Sequence, residues 1–348
     1  MTTSAWTIPL SMAVLASCAT AAVTPPGDTP PERMAADAHP AAPRPQLSQV
    51  DAARYKQMIA EAKQAELRKD YPAALRILAD ARKLAPDESV AYVLTGSVMI
   101  SSGQAAPAAS EFKRGIELAY DADIRKELLE IIEKITSRPQ SDEESALLKS
   151  AFASIEAKQP NLALPELRRA VELNPRNART RYELGYAFVD LGRVDEAIAE
   201  FEAARRINPV SSRILAELQY CYSERKRYRE MTSLIADRIL VEGENGRLLH
   251  ELGFNYVASG NVDLAISTLE QNLRRFPDFF PSHFSLGQLY CNKHKDKTAG
   301  KAHFDAFITA AERARSSDQA APSLLTRDKL QKQIQEAQQE RNNCGAHD

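Results

Sequence analysis

The sequence predicts an all-α fold, an α-solenoid in which helix pairs stack one upon the next. Three observations carry this expectation. A pattern returns every 34 residues: Ala163, Leu167, Ala170 and Pro175 are followed at that step by Ala197, Phe201, Ala204 and Pro209. Two steps further on, Ala265, Leu269 and Pro277 fill the same slots, and Leu252, Gly253 and Tyr256 repeat Leu184, Gly185 and Phe188. The residue types suit a helix hairpin, because Gly or Ala lets two helices approach closely and Pro stops the second one. Finally, 44% apolar but only 7% aromatic residues over 348 positions fit a long fold without one large central core.

Taken in order, the chain begins with an export segment. Ala5 to Ser17 is apolar, too short to span a bilayer, and followed by small residues, as in a cleaved signal. Leu15-Ala16-Ser17-Cys18 resembles a bacterial lipobox, which implies a signal over residues 1–18, cleavage before Cys18 and palmitate-type lipidation of its sulfur. No Lys or Arg precedes this stretch, and cleavage after Ala19-Thr20-Ala21, giving a soluble periplasmic protein, is the alternative, with a cytoplasmic adaptor as a third reading. Residues 19–47 form a Pro/Ala-rich linker with Pro25, Pro26, Pro30, Pro31, Pro40, Pro43 and Pro45. As polyproline II it would hold a folded body up to about 70 Å from an anchor.

Helical periodicity starts near Ser48, and residues 48–122 hold two repeats, 55–88 and 89–122, with Ala74, Leu78, Ala81, Ala108 and Phe112 in the second-helix slots. The register then breaks. Residues 123–143, with Leu128, Ile131, Ile132 and Ile135, read as an unpaired helix ending before Pro139 and as a hinge. Ser141 and Glu144 form a capping-box pattern that restarts the array. The main array covers 144–313 as 144–177, 178–211, 212–245, 246–279 and 280–313, the last with a drifting second helix around His303 and Phe304. After Pro322, residues 323–343 read as a capping helix with an apolar seam at Leu324, Leu325, Leu330, Ile334 and Ala337.

The run Leu184, Gly185, Phe188, Ala197, Phe201, Ala204 and Pro209 resembles the pattern of the tetratricopeptide repeat family, without its early Trp. That resemblance implies a right-handed solenoid whose first helices line a concave groove. Carried over slot by slot, it places Leu148, Phe152, Tyr182, Tyr186, Ala216, Tyr220, His250, Phe254, Phe284 and Gln288 on the inner wall. Aromatic rings offer large contact area at small entropic cost and suit a protein segment, extended or helical, or a glycan. Several of these rings could equally pack between repeats. The Lys and Asn pattern that clamps a C-terminal carboxylate in some family members is missing.

Arg179, Arg213 and Arg247 recur at the 34-residue step, each four places before Glu183, Glu217 or Glu251. Three readings stay open: intrahelical pairs, Arg reaching the Glu of a neighbouring repeat, or a ladder facing an acidic ligand. Arg before Glu in a first turn is the less favourable order, which counts against the first. Cys221 reads as a small buried residue. Cys291 and Cys344 should lie near one another at helix ends, either as a disulfide or, with His294 and His347, as two Cys-x-x-His pairs able to hold Zn²⁺.

With 45 Lys and Arg against 47 Asp and Glu, the net charge of −2 gives no case for nucleic acid. No phosphate loop, HExxH or nucleophile elbow occurs, so no catalytic residue, enzyme activity or cofactor is expected. The expectation is a lipid-anchored interaction scaffold on the periplasmic side of the outer membrane. Lipoproteins of this type serve in pilus or secretion systems, outer-membrane assembly or polysaccharide export. A regulatory or substrate-binding subunit of an enzyme complex is the alternative.

Overall fold

Helix pairs succeed one another along the computed structural model, which describes residues 47–119, 121–294, 296–316 and 327–344. The signal, Cys18, residues 19–46, Leu324, Leu325 and His347 lie outside the described residues. The pairs are α1 (Gln49–Leu67) with α2 (Tyr71–Leu84), and α3 (Ser89–Ser101) with α4 (Ala105–Leu118). After a single α5 (Ala122–Thr136) come α6 (Asp142–Glu156) with α7 (Pro160–Leu173), α8 (Ala178–Asp190) with α9 (Val194–Ile207), and α10 (Ser212–Glu224) with α11 (Tyr228–Glu242). Then follow α12 (Gly246–Ala258) with α13 (Val262–Arg275), α14 (Pro281–Leu289) with α15 (Lys297–Ser316), and a last α16 (Arg327–Asn343). Most helices pack mainly on their sequence neighbours, α5 alone packing more on α3 than on α4 or α6, and no strand forms among the described residues.

Short turns make these hairpins. One turn residue holds a positive φ at 34-residue steps in two runs, Lys69 and Gly103, then Lys158, Gly192, Lys226 and Gly260, with φ between 54° and 95°. Gly adopts this conformation freely, whereas a Lys there carries about 1 kcal/mol or more of strain.

The small slot works through close approach. A Cβ on Gly185 would stand 2.7 Å from the Phe201 ring, and one on Gly253 would stand 2.7 Å from Leu269. In both, and in the Gly96–Phe112 pair, the large residue follows at the same separation (96 to 112, 185 to 201, 253 to 269). In the last pair Gly287 meets Phe304, one residue later. The extra residue is taken up in a π turn at Tyr290–His294, whose wider winding accommodates a one-residue insertion. The drift in repeat 280–313 is therefore a single insertion ahead of α15.

Helix α5 corrects the expected hinge. A hinge needs a seam that few buried contacts cross, but Leu128 and Ile132 of α5 join one core that runs from Val93 and Phe112 to Leu218 and Leu234. Asn208, after α9, donates to Glu133 Oε2 at 2.8 Å and to Thr136 Oγ1 at 3.0 Å. Arg176 Nη1 donates to the Ile100 carbonyl at 3.1 Å. Asp237 of α11, itself buried, takes Lys113 of α4 as one partner and Arg205 Nη2 of α9 at 2.6 Å as another. The N-terminal repeats thus fold back on the ends of the later ones, which no local sequence pattern could show.

The restart is capped as its residues suggest. Ser141 Oγ accepts from the Glu144 N–H at 3.1 Å, while the fully buried Glu144 carboxylate accepts from Gln140 N and from the side chains of Asn174 and Asn177. Glu144 is thus a structural anion. It is held by three donors through four contacts at 2.7–3.1 Å, which is what makes its burial tolerable.

Candidate functional site

The first helices α8, α10 and α12 carry most of the residues assigned to the groove, and the structure divides those residues into two groups. Phe284 belongs to packing: its ring lies 5.3 Å from Phe307 and 5.8 Å from Phe304, in the core beneath α16. His250 is likewise enclosed. Its Nε2 meets Ser285 Oγ at 3.0 Å, its ring lies 5.7 Å from Phe279, and burial lowers its pKa to about 4. His250 thus packs between repeats, against Ser285 of α14, whereas Phe284 packs within its own pair, against Phe304 and Phe307 of α15. Leu148 is buried too, and Gln288 donates to Glu340 of α16.

The second group stays accessible. Tyr220 and Phe254, on α10 and α12, are each 42% exposed. Tyr186 is half-buried and Tyr182 lies beneath it, with ring centroids 6.4 Å apart and Tyr182 also 5.7 Å from Phe201. Phe152 of α6 is half-buried under Arg179, whose guanidinium sits 4.7 Å from the ring centroid. Phe152, Tyr182 and Tyr186 thus pack against the repeat core, while Tyr220 and Phe254 are the more exposed rings.

The arginine ladder resolves mostly into intrahelical pairs, contrary to the helix-order argument. Arg179 Nε lies 3.6 Å from Glu183, and Arg247 Nε lies 3.7 Å from Glu251. Half-exposed pairs at such distances contribute about 0.3–0.5 kcal/mol each, enough to set a rotamer where no better partner is near. Arg213 differs. It makes no ion pair among the described residues and borders a shallow cleft with Glu133, Arg179, Tyr182, Ser211 and Ile214. Its charge favours the ionised form of Glu183 across the repeat boundary.

Carboxylates were the residues that the sequence pattern hid. Glu217 was paired on paper with Arg213, yet it makes no hydrogen bond or ion pair among the described residues, and burial followed by the nearby Asp190 charge raises its pKa. Burial also raises Glu183, with Arg179 opposing. Tyr186 is pushed up by burial and then by Asp190 and Glu217, and Tyr220 by burial and Glu224. Asp190 follows Tyr186 by four residues on α8 and Glu217 precedes Tyr220 by three on α10, so each helix sets a carboxylate beside a ring.

At the other end, Cys291 and Cys344 are joined by a disulfide with Cα atoms 5.4 Å apart. It ties the start of the π turn to the end of α16, whose Leu330, Ile334 and Ala337 are buried. Sulfurs spent in a disulfide leave no thiolate for a metal, which removes the zinc alternative with His294 and His347. Cys221 is fully buried, and burial lifts its thiol pKa to about 12. Sequence reasoning missed a histidine pair nearby: His283 Nδ1 and His303 Nδ1 lie 2.9 Å apart, with the Tyr290 ring stacked on His303 at 5.5 Å. The one-residue insertion that shifts His303 out of its slot is what concealed it.

Comparison with known proteins agrees with this architecture. A tetratricopeptide repeat family model matches residues 155–212. No curated protein matches the chain. Among solved structures, MamA 41-end from Desulfovibrio magneticus RS-1 is 19% identical, with 51% of this chain and 99% of that chain covered and a TM-score of 0.39. Pseudomonas aeruginosa pilF is 17% identical, covering 66% of this chain and 95% of that one at a TM-score of 0.29. YrrB, described as a TPR protein with an unusual peptide-binding site, is 19% identical over 65% and 88% at a TM-score of 0.22. At these scores the likenesses bear on neither partner nor pathway. The matched residues span α7, α8 and α9, and helix pairs continue on both sides of them, so the fold is an α-solenoid with a tetratricopeptide repeat match over residues 155–212.

Proposed function

We propose that this protein is an exported, lipid-anchored scaffold that holds an extended segment of a periplasmic or outer-membrane protein along α8, α10 and α12. The observation that carries the binding part is the open aromatic surface: Tyr220 and Phe254 stand 42% exposed at a 34-residue step (220 to 254), on helices whose other large apolar side chains are covered. Aromatic rings are enriched in hot spots, where a partner gains contact area without ordering a flexible side chain. Export is supported by the lipobox-like Leu15 to Cys18 and by the Cys291–Cys344 disulfide, a bond that persists in oxidising compartments. Among the described residues no helix is long and apolar enough to cross a membrane, so in this reading Cys18 supplies the anchor.

The test joins capture and anchoring. The chain carrying Tyr220→Ala and Phe254→Ala should keep wild-type helix content and lose a partner that the wild type retains from detergent extracts. The expected loss is about 1 kcal/mol or more per ring. Cys18→Ser should move the protein from the membrane to the soluble fraction. Equal partner recovery by the double variant defeats the groove reading, and absence of labelled palmitate on the wild type defeats the lipid anchor.

A further inference from the structure

Glu183, Glu217 and Glu251 occupy one slot on α8, α10 and α12, and the outer two are neutralised. Glu183 has Arg179 at 3.6 Å, and Glu251 has Arg238 at 3.0 Å as well as Arg247 at 3.7 Å. Glu217 has none of this. Its expected partner Arg213 lines the cleft beside Glu133 and Tyr182 instead. A half-buried carboxylate without a cation is costly in the free protein, and the surroundings raise that cost. Asp190 and Glu224, on the same surface, also lack ion pairs among the described residues, and the adjacent Arg225 is engaged with Asp195 at 2.9 Å. Tyr220 lies three places beyond Glu217 on α10, and Tyr186 lies four places before Asp190 on α8, the spacings at which helical side chains are neighbours.

We propose that the groove is selective for basic segments, with a Lys or Arg side chain of the bound peptide lying against Tyr186 and Tyr220 and pairing with Glu217 and Asp190. This rests on the groove reading above and adds the chemistry of the occupant. The carboxylates supply the charge complement, and the ring faces add cation–π attraction for the same side chain. The unpaired Arg213 supports the opposite occupant, an acidic segment. Three formal negative charges at Asp190, Glu217 and Glu224 stand against that single cation, Asp190 four places from Tyr186 and the two glutamates three and four places from Tyr220.

The experiment uses the full oxidised chain and short fluorescein-labelled peptides of repeating Gly-Leu-Lys-Ala, with matched peptides in which Gln or Glu replaces every Lys. Fluorescence anisotropy should rank the Lys peptide above the Gln peptide by about tenfold in Kd, with the Glu peptide weakest. Glu217→Gln, which keeps size and helix propensity, should erase most of the difference between the Lys and Gln peptides and flatten the salt dependence of the Lys peptide. Tyr186→Ala should weaken both peptides, the Lys peptide more than the Gln peptide. If Tyr186→Ala weakens binding while Glu217→Gln changes nothing, basic selectivity is overturned and the groove reading stands. If the Glu peptide binds best, Arg213 is the selecting charge and the proposal is overturned. If neither variant alters any peptide's affinity, or no peptide binds, the groove reading falls and the proposal falls with it.

Discussion

Gly185→Ala adds one methyl group at the crossing of α8 and α9, and its effect should depend on Phe201. The new carbon would lie 2.7, 2.8 and 3.0 Å from three atoms of the Phe201 ring, whereas carbon atoms rest comfortably at about 3.5–4.0 Å. Phe201 is fully buried and has no room to retreat. Overpacking of this kind costs about 1–3 kcal/mol, and replacing a helical Gly by Ala returns about 1 kcal/mol, so the variant should be destabilised by about 1 kcal/mol. Phe201→Ala alone should cost about 3–5 kcal/mol by emptying the crossing. In that background the clash is gone, and Gly185→Ala should now stabilise by about 1 kcal/mol. The sign of one substitution thus reverses with its neighbour, a coupling of about 2 kcal/mol. Urea unfolding followed by circular dichroism at 25 °C on the wild type, both single variants and the double variant measures it. If Gly185→Ala stabilises the wild type, or shifts both backgrounds equally, helix crossing at this slot is not what selects glycine.

The remaining predictions concern turns, histidines and the cap. Lys226→Gly, at φ 54°, should raise stability by about 0.5–1 kcal/mol by relieving the strained turn, whereas Lys226→Ala should not; urea midpoints decide between them. Burial lowers both His250 and His283 to about 4, with the His303 charge adding to the effect on His283. Between about pH 6.5 and 4 the unfolded chain therefore binds more protons, so their contribution is full above pH 6.5 and falls as pH drops through that window. His250→Gln, which keeps a donor for Ser285, should flatten part of the pH dependence of the urea midpoint. Cys344→Ser should destabilise α16 by about 2–4 kcal/mol and make Lys329 and Lys332 rapid tryptic sites, since the disulfide closes a 53-residue separation.

Most of the array was legible because its constraint is local and repeated. Where two helices must cross within a few ångströms, only Gly or Ala fits, so Gly185, Ala197 and Gly253 mark the fold by themselves. Legibility failed where the determining contact was distant or the repeat arithmetic shifted. Helix α5 reads as unpaired because it packs on both helices of the preceding pair, α3 and α4, and is tied to Asn208, 72 residues beyond Thr136. His303 hid behind one inserted residue. The arginine ladder was misjudged for another reason: helix-dipole preferences are worth a few tenths of a kcal/mol, too little to override the nearest available carboxylate. Glu217 shows the converse, since sequence spacing offers it Arg213 and the fold directs that arginine elsewhere.

The fold-back has a consequence for the groove. Asp237 is only 8% exposed at its side chain and holds both Lys113 of α4 and Arg205 of α9. A carboxylate so buried needs its cations, and removing one leaves an uncompensated charge. Helix α4 also packs against α9 and α11, the second helices of the two pairs whose first helices are α8 and α10. The angle between those pairs, and hence the spacing of Tyr186 and Tyr220, is therefore set from behind by a segment that touches neither ring. A free solenoid would flex at every repeat boundary; this one is braced at the boundary where its aromatic and acidic side chains gather. Bracing reduces the ordering that binding must otherwise bring about, so if a partner sits on α8 and α10 as proposed, α4 would favour its binding through the shape it imposes on them.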